Sequence, residues 1–330
     1  MPVVRHVLFL FETPHLNKLL RYRTINQILE LELPFSRQVI QWFLSLSQEI
    51  AVQAGKDDIF NIIEIRQNGK LMITIRLIDL KTWVNLQEKS VETFHFLNQK
   101  QNELREEGLI SVTLWEDTWI KEQTIVKSRL CAMLGISYRI PARATVVRRI
   151  DKPTADKFLY RNHLQHAVTS KFKYGLFLPN RYFRLLNSDY QIDRNDPEIL
   201  VAVATFSAPR IFNRHGQPFR SYELIRFASL LDTTVVGGLD KLLRFFTHEC
   251  RPDDIMTYAD LEWSDGASYK RLGFLPVSDK APMKMWLNTE TYQRFSKPEN
   301  TPDSKIIEVY NAGSRKFVKE ILASFTALSL

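Results

Sequence analysis

The chain has 330 residues, 45% of them apolar and 25% charged, with 45 Lys and Arg against 37 Asp and Glu for a formal net charge of +8. That length exceeds one comfortable core and points to two domains of an ordinary globular protein, which excludes a disordered or fibrous chain. No apolar run reaches the ~18 residues of a membrane helix, and the two cysteines, Cys131 and Cys250, make no disulfide framework and read as reduced thiols of a cytoplasmic protein.

In chain order, the opening VVRHVLFLF is short and carries Arg5 and His6, so it reads as a strand and not a leader peptide. GKLMITIRLIDL (69–80) alternates and is rich in β-branched residues, which predicts a hairpin strand. Residues 86–108 have helical spacing, with Val91, Phe94, Leu97 and Leu104 on or near one face and Gly108 as C-cap. LISVTLWEDTW (109–119) returns to strand, and TIVKSRLCAMLG (124–135) is a helix closed by glycine. A basic connector, 136–150, ends in the strand ATVVRRI and holds the expected boundary near residue 140, dividing the chain into 1–140 and 141–330.

The second part starts with a helix (151–164) opened by Pro153 and Thr154. Strands follow at 173–179, 198–209 and 221–230, then a glycine turn and the helix LDKLLRFFTHEC (239–250). A strand (253–263), a short helix (266–274) and a strand expected to close the sheet (281–287) complete it. The fold class expected is α+β: a mixed, mainly antiparallel sheet with helices on both faces, preceded by a smaller α/β domain.

Charge is distributed unevenly. Residues 121–181 hold 13 basic and 3 acidic side chains, a net of +10, while the segments on either side are neutral or slightly acidic. Such clustering attracts polyanions, so a nucleic acid is the expected partner, with Lys127, Arg129, Arg143, Arg148, Arg149 and Lys171 as candidate phosphate contacts. A solvated face that maintains solubility is the plainer reading.

TTVVGGLDKLLRFF (233–246) puts two glycines between a strand and a helix. Side-chain-free positions let a ligand approach the backbone, and a helix N-terminus attracts anions, so Val235, Val236, Gly237, Gly238 and Lys241 form a candidate pyrophosphate cradle. A tight turn is the alternative. Alternation along IMTYAD sets Tyr258 and Asp260 on one side of their strand, and a carboxylate ending an apolar strand calls for a partner. Ser264 is a candidate substrate contact or a helix cap. Trp263 and Phe212 are rings for the core or for stacking on a base.

The glycine turn with its helix, followed by a helix ending in YKRLGF, resembles the Gcn5-related N-acetyltransferase (GNAT) fold. In that family the turn holds the coenzyme A pyrophosphate, and a tyrosine four residues before Gly-Phe, here Tyr269, protonates the departing thiolate. The family turn spaces its glycines one residue apart, whereas here they are adjacent. Residues 146–319, through YELIRFASLLDTTVVGGLDKLLRFF, IMTYADLEWSDGASYKRLGF and IIEVYNAGSRKFVK, also resemble the C-terminal module of phage homing-endonuclease-like proteins. That module is similar to the Mom DNA-modification protein of phage Mu, which modifies adenine. The resemblance implies an acyl-CoA donor, a DNA base as acceptor, and His163 and Asp260 in the site as base, orienting group or ligands of an iron ion. His163 as a simple helix cap and Tyr269 as a core ring remain the alternatives.

LISVTLWEDTWIKEQTIVKSRL resembles the end of a Vsr-like nuclease domain. The active-site acid of such a domain falls here on Arg76; Asp79 and Lys81 would be a displaced pair, with Glu64 or Asp58 as second carboxylate. A degenerate scaffold is expected. The rival functions are therefore a non-catalytic nucleic-acid-binding protein and an endonuclease acting through residues 58–81.

Overall fold

Asn68 and Gly69, both at positive φ (51° and 77°), make the two-residue turn that folds the first hairpin. It joins β2 (Asn61–Gln67) to β3 (Lys70–Ile78), after helix α1 (Phe35–Leu46) and strand β1 (Ile50–Lys56). The computed structural model describes residues 34–57, 59–86, 90–188, 190–214, 216–297 and 305–321. The expected strand at the N-terminus and the candidate Asp58 lie outside them.

Helices α2 (Leu80–Leu86) and α3 (Ser90–Glu106) form the crossover to β4 (Ser111–Trp115), which pairs parallel with β3 at the edge of a four-stranded sheet. Of the apolar face expected on α3, Phe94 and Leu97 are buried but Val91 is exposed. The strand expected over 109–119 ends at Trp115, and α4 (Glu116–Leu134) starts at once, because Glu116 and Asp117 suit the positive end of a helix. α4 breaks at Glu122 (φ −118°, ψ 28°), and Gly135 closes it in the left-handed region (φ 76°).

The second part runs β5 (Tyr138–Pro141), a 3-10 turn (Ala142–Ala144), β6 (Val146–Arg149), α5 (Lys152–Asn162), β7 (Phe172–Pro179), β8 (Glu198–Phe206) and β9 (Arg210–Arg214). It continues with β10 (Gln217–Ser229), β11 (Thr233–Val236), α6 (Gly238–Cys250), β12 (Asp254–Asp260), α7 (Ala267–Arg271) and β13 (Leu275–Lys280). Last come β14 (Lys284–Asn288), β15 (Arg294–Phe295), β16 (Ile306–Tyr310) and β17 (Ser314–Glu320).

The main sheet has the order β13-β17-β12-β10-β8-β7-β6, antiparallel except between β10 and β12, with β9 hairpinned on β10. Successive residues of β8 face opposite ways. Ala202, Ala204 and Phe206 belong to the core with Leu242, Leu243 and Phe246 of α6, whereas Val203 joins Ala155, Phe158 and Leu159 of α5. Helices therefore cover both faces, as the GNAT-like expectation requires. Phe206 and Phe246 stack at 3.9 Å between centroids.

The strand expected to close the sheet, 281–287, does not. It becomes β14, centre of a separate three-stranded sheet with β15 and β16, while β17 and β13 complete the main sheet. The reason is packing. Leu287, Val309, Tyr310 and Ala312 join a core with Phe60, Ile78, Trp83, Phe94 and Trp115 of the first part. Trp263 likewise enters the core of Trp119, Val126 and Leu130. The expected boundary near residue 140 falls inside β5, which pairs along all of β11.

Candidate functional site

β10 and β12 pair only from Ser221↔Asp254 to Glu223↔Met256. Beyond that, β10 follows β8 to Ser229↔Ala202 and β12 follows β17 to Asp260↔Ser314. The two neighbours therefore part, and a register shift between Leu224 and Arg226 bends β10 where the gap begins.

Two chambers fill the gap. The inner one, about 370 Å³, runs along β10 from Leu224 and past its end to Leu231, under the C-terminal half of α4, and is walled by Tyr269. The outer one, about 610 Å³, lies under the three-stranded sheet and the start of α4. They meet at Gln165, Arg226, Tyr258 and Asp260, which line both.

Asp260 is fixed on both oxygens: Oδ2 accepts from Gln165 Nε2 at 3.0 Å and Oδ1 from the Glu262 amide at 3.0 Å. Tyr258 lies beside it as alternation predicts, with Lys280 Nζ 4.1 Å from its ring centroid. Tyr269 packs on Phe274 and Phe317 with centroids 5.8 and 5.7 Å away. Burial pushes its phenol above the ordinary tyrosine range, opposed by the Thr257 hydroxyl and by Arg129 and Arg226. It is both core ring and cleft wall. Ser264 Oγ accepts from the Gly266 amide at 3.0 Å, a turn cap on the wall of the inner chamber.

His163 caps α5, its amide donating to Leu159 O at 2.9 Å, and its Nδ1 accepts from the Gln165 amide at 3.1 Å. Burial, then the charges of Arg226, Arg129 and His166, push its pKa down to about 3, so the ring is neutral.

The expectation of iron at His163 and Asp260 is corrected here. Two guanidiniums oppose a cation at His163, and one His163 nitrogen and both Asp260 oxygens already have partners in the chain. Among the described residues no group of three or more His, Cys, Asp and Glu is placed to hold a metal.

The glycine corner lies outside both chambers, whose lining extends along this segment to Thr233 and Thr234. Ser137 Oγ and Thr234 Oγ1 are hydrogen-bonded there at 2.6 Å. Gly237 has φ 77°, and a Cβ on Gly238 would fall 2.9 Å from Val235 Cγ1 and 3.2 Å from Leu176 Cδ1. The left-handed backbone thus accounts for Gly237 and internal packing for Gly238. Val235 is buried and Val236 exposed. Lys241 Nζ donates to Ala142 O at 2.9 Å and also to Thr145 O.

The six basic candidates differ in their surroundings. Arg148 pairs with Glu198, and Arg149 with Glu249 at 2.5 Å. Lys127 lies over Trp42 and Trp119, at 5.8 and 5.3 Å. Arg129 turns into the inner chamber, 4.8 Å from the Trp263 ring centroid. Arg143 and Lys171 are exposed. Trp263 is buried, and Phe212 is exposed on the β9–β10 hairpin.

Sequence reasoning missed Arg226, Gln165 and Glu262. Arg226 had a signal, a lone charge in the apolar strand ELIRFAS. Its Nε donates to His166 O at 3.1 Å, and burial lowers its pKa. Glu262 is buried, accepts from Trp115 Nε1 at 3.1 Å, and is pushed well above the carboxylate range by burial and by Asp260.

Among the described residues, the nuclease candidates are each engaged elsewhere or exposed. Arg76 pairs with Asp57 at 2.7 Å, Glu64 with Arg66 at 2.7 Å, Asp79 caps the amide of Thr82 at 2.8 Å, and Lys81 is exposed. Among the described residues no helix is long and apolar enough to cross a membrane.

No family model and no curated protein matches the chain. Solved structures do, with low scores. A KacTA–DNA complex is 18% identical over 41% of this chain and 87% of that one, with a TM-score of 0.27. A structure of histone acetyltransferase HPA2 and related acetyltransferase, from Corynebacterium glutamicum, is 12% identical over 52% and 95%, with a TM-score of 0.28. A mutant AtaT toxin bound to the C-terminus of the antitoxin AtaR and acetyl-CoA is 11% identical over 57% and 99%, with a TM-score of 0.26.

Proposed function

We propose that the protein transfers an acyl-type group across the cleft between β10 and β12, from an acyl-CoA thioester in the inner chamber to an amine in the outer one. The observation that supports this is the separation of these strands into two chambers meeting at Tyr258 and Asp260, with Tyr269 on the inner wall. In this reading Asp260, held by Gln165 and the Glu262 amide, takes a proton from the attacking amine as the new N–C bond forms. Tyr269, kept protonated by burial, gives its proton to the sulfur as the C–S bond breaks. His163 orients Gln165 through its amide. Val235, Gly238 and Lys241 are engaged within the chain and hold no phosphate in this reading.

The acceptor class we infer is a base in DNA, as the Mom resemblance implies. The outer chamber offers Tyr292, Met283 and Met285 for an apolar ring, and Asp260 and Glu223 to accept from an exocyclic amino group. A base within a duplex must be extruded to reach it. Nucleoside mass spectrometry of DNA from cells expressing the protein tests the proposal. An adenine adduct is expected, lost with Tyr269→Phe and with Asp260→Asn; its absence from the wild type overturns the reading.

The second reading, nucleic-acid binding without transfer, is favoured by the glycine corner lying outside the cavity. Under it, acetyl-CoA causes no thermal shift and no adduct forms.

A further inference from the structure

We infer that the inner chamber is an oxyanion subsite, in which Arg129 and Arg226 grip a carboxylate or phosphate on the ligand. The inference rests on the cleft being the ligand site, as the proposed function has it, and does not require that transfer occur.

Three observations support it. The charged residues lining the chamber, among the described residues, are Arg129, Arg226 and Asp260, and His163, also on its wall, is neutral. Two guanidiniums therefore face one carboxylate whose oxygens already accept from Gln165 and Glu262.

Second, Arg129 has no hydrogen bond or ion pair within the described residues; its guanidinium carbon lies over the buried Trp263 ring, 4.8 Å from the centroid. Its donors, half-buried on the chamber wall, are free to take a ligand's acceptors in place of water. A cation–π contact leaves the guanidinium N–H groups for a two-point contact of the kind carboxylates and phosphates accept.

Third, Arg226 comes from the opposite wall. Its Nε and one terminal nitrogen are bound to His166 O and Ile225 O at 3.1 and 3.0 Å, which fixes the group beside the gap. Arg129 comes from a helix of the first part of the chain and Arg226 from the main sheet. The subsite therefore exists only when both parts are folded together. The outer chamber leans the other way: Asp117, Glu122, Glu223, Asp260 and Glu262 line it against Lys121, Arg226 and Arg294. Asp117 takes up Arg294 and burial keeps Glu262 protonated, so Glu122, Glu223 and Asp260 carry the acidic excess. An anionic donor side and an amine-bearing acceptor side follow from this asymmetry.

The test is ligand-dependent thermal unfolding of the full chain with succinate, inorganic phosphate, neutral succinamide, and sodium chloride at matched ionic strength. Succinate or phosphate is expected to raise the melting temperature and the other two to leave it unchanged; the stronger of the two anions identifies the group. Arg129→Gln is expected to weaken the preferred anion about tenfold or more. Arg129→Lys keeps the charge without the planar fork and should fall between, which keeps the test decisive if the glutamine variant misfolds. No shift from either anion, or undiminished shifts in both variants, overturns the subsite. A DNA adduct without an anion response would leave transfer standing and remove the subsite; an anion response without an adduct would do the reverse.

Discussion

Asp117 and Arg294, 177 residues apart in sequence, form a two-point ion pair at 2.8 and 2.7 Å on the wall of the outer chamber. Asp117 starts α4 and is 3% exposed, and Arg294 stands on β15 at 16%. The contact ties the inserted three-stranded sheet to the first part of the chain. Removing one partner strands a buried charge, which costs about 3–5 kcal/mol. Asp117→Asn and Arg294→Met should each lower unfolding stability by about that much, while the double variant recovers part of the loss. Urea unfolding of the four proteins checks this, and additive losses would show that the pair is not coupled.

Glu262 should give stability a falling limb with pH. Burial first, then the negative charge of Asp260, raises its folded-state pKa. Between the ordinary glutamate value and the raised one, the native state holds a proton that the unfolded chain has released. Stability from this group is then full at low pH and lost as pH rises through that window. Glu262→Gln keeps an acceptor for Trp115 Nε1 and cannot ionise, so it should flatten the decline. Urea midpoints at about pH 5 and about pH 8 compare the two proteins.

His163 should act in the opposite direction. Its folded pKa of about 3 lies below the ordinary 6.5. Only the unfolded chain takes up the proton between those values, so the contribution is present above 6.5 and lost as pH falls below it. His163→Asn retains an acceptor for the Gln165 amide and should weaken this acid limb. A wild-type acid limb left unchanged in the variant would contradict the neutral, cation-faced histidine.

Much of the second part was legible because its periodicities are clean. Strand alternation at 198–206 and the apolar stripe of α6 are set by local sequence, and Asp151 caps α5 where Pro153 predicts its start. The site was legible in part: Tyr258, Asp260, His163 and Tyr269 do gather in one cleft. Arg129 was read as a surface phosphate contact because its local sequence is simply basic, and its turn toward Trp263 depends on packing between distant segments. The same limit hid the fate of 281–287. A short apolar strand carries no mark of which sheet it will join, and here Trp83 and Trp115 decided it.

Gly238→Ala should test what the double glycine is for. The new methyl would sit 2.9 Å from Val235 Cγ1 and 3.2 Å from Leu176 Cδ1, both in the core. Overpacking of this kind costs about 1–3 kcal/mol, more than the unfolded-state gain of about 0.4–1 kcal/mol from replacing glycine. We expect lower stability in thermal unfolding and unchanged acetyl-CoA affinity in calorimetry. Affinity lost without a change in stability would return the corner to the cofactor.

Asp79→Ala should leave the chain without any nuclease activity to lose. Arg76 is 5% exposed and holds Asp57 through Nε at 2.7 Å while donating to Leu97 O at 3.0 Å. A guanidinium fixed at that point of the sheet repels the divalent ions that phosphodiester hydrolysis uses. Asp79 instead accepts from the Thr82 amide at the start of α2, so its removal costs about 1 kcal/mol of stability. Plasmid incubated with magnesium or manganese should remain supercoiled with both proteins. Metal-dependent nicking by the wild type that disappears in Asp79→Ala would overturn the view that this sheet serves only as scaffold.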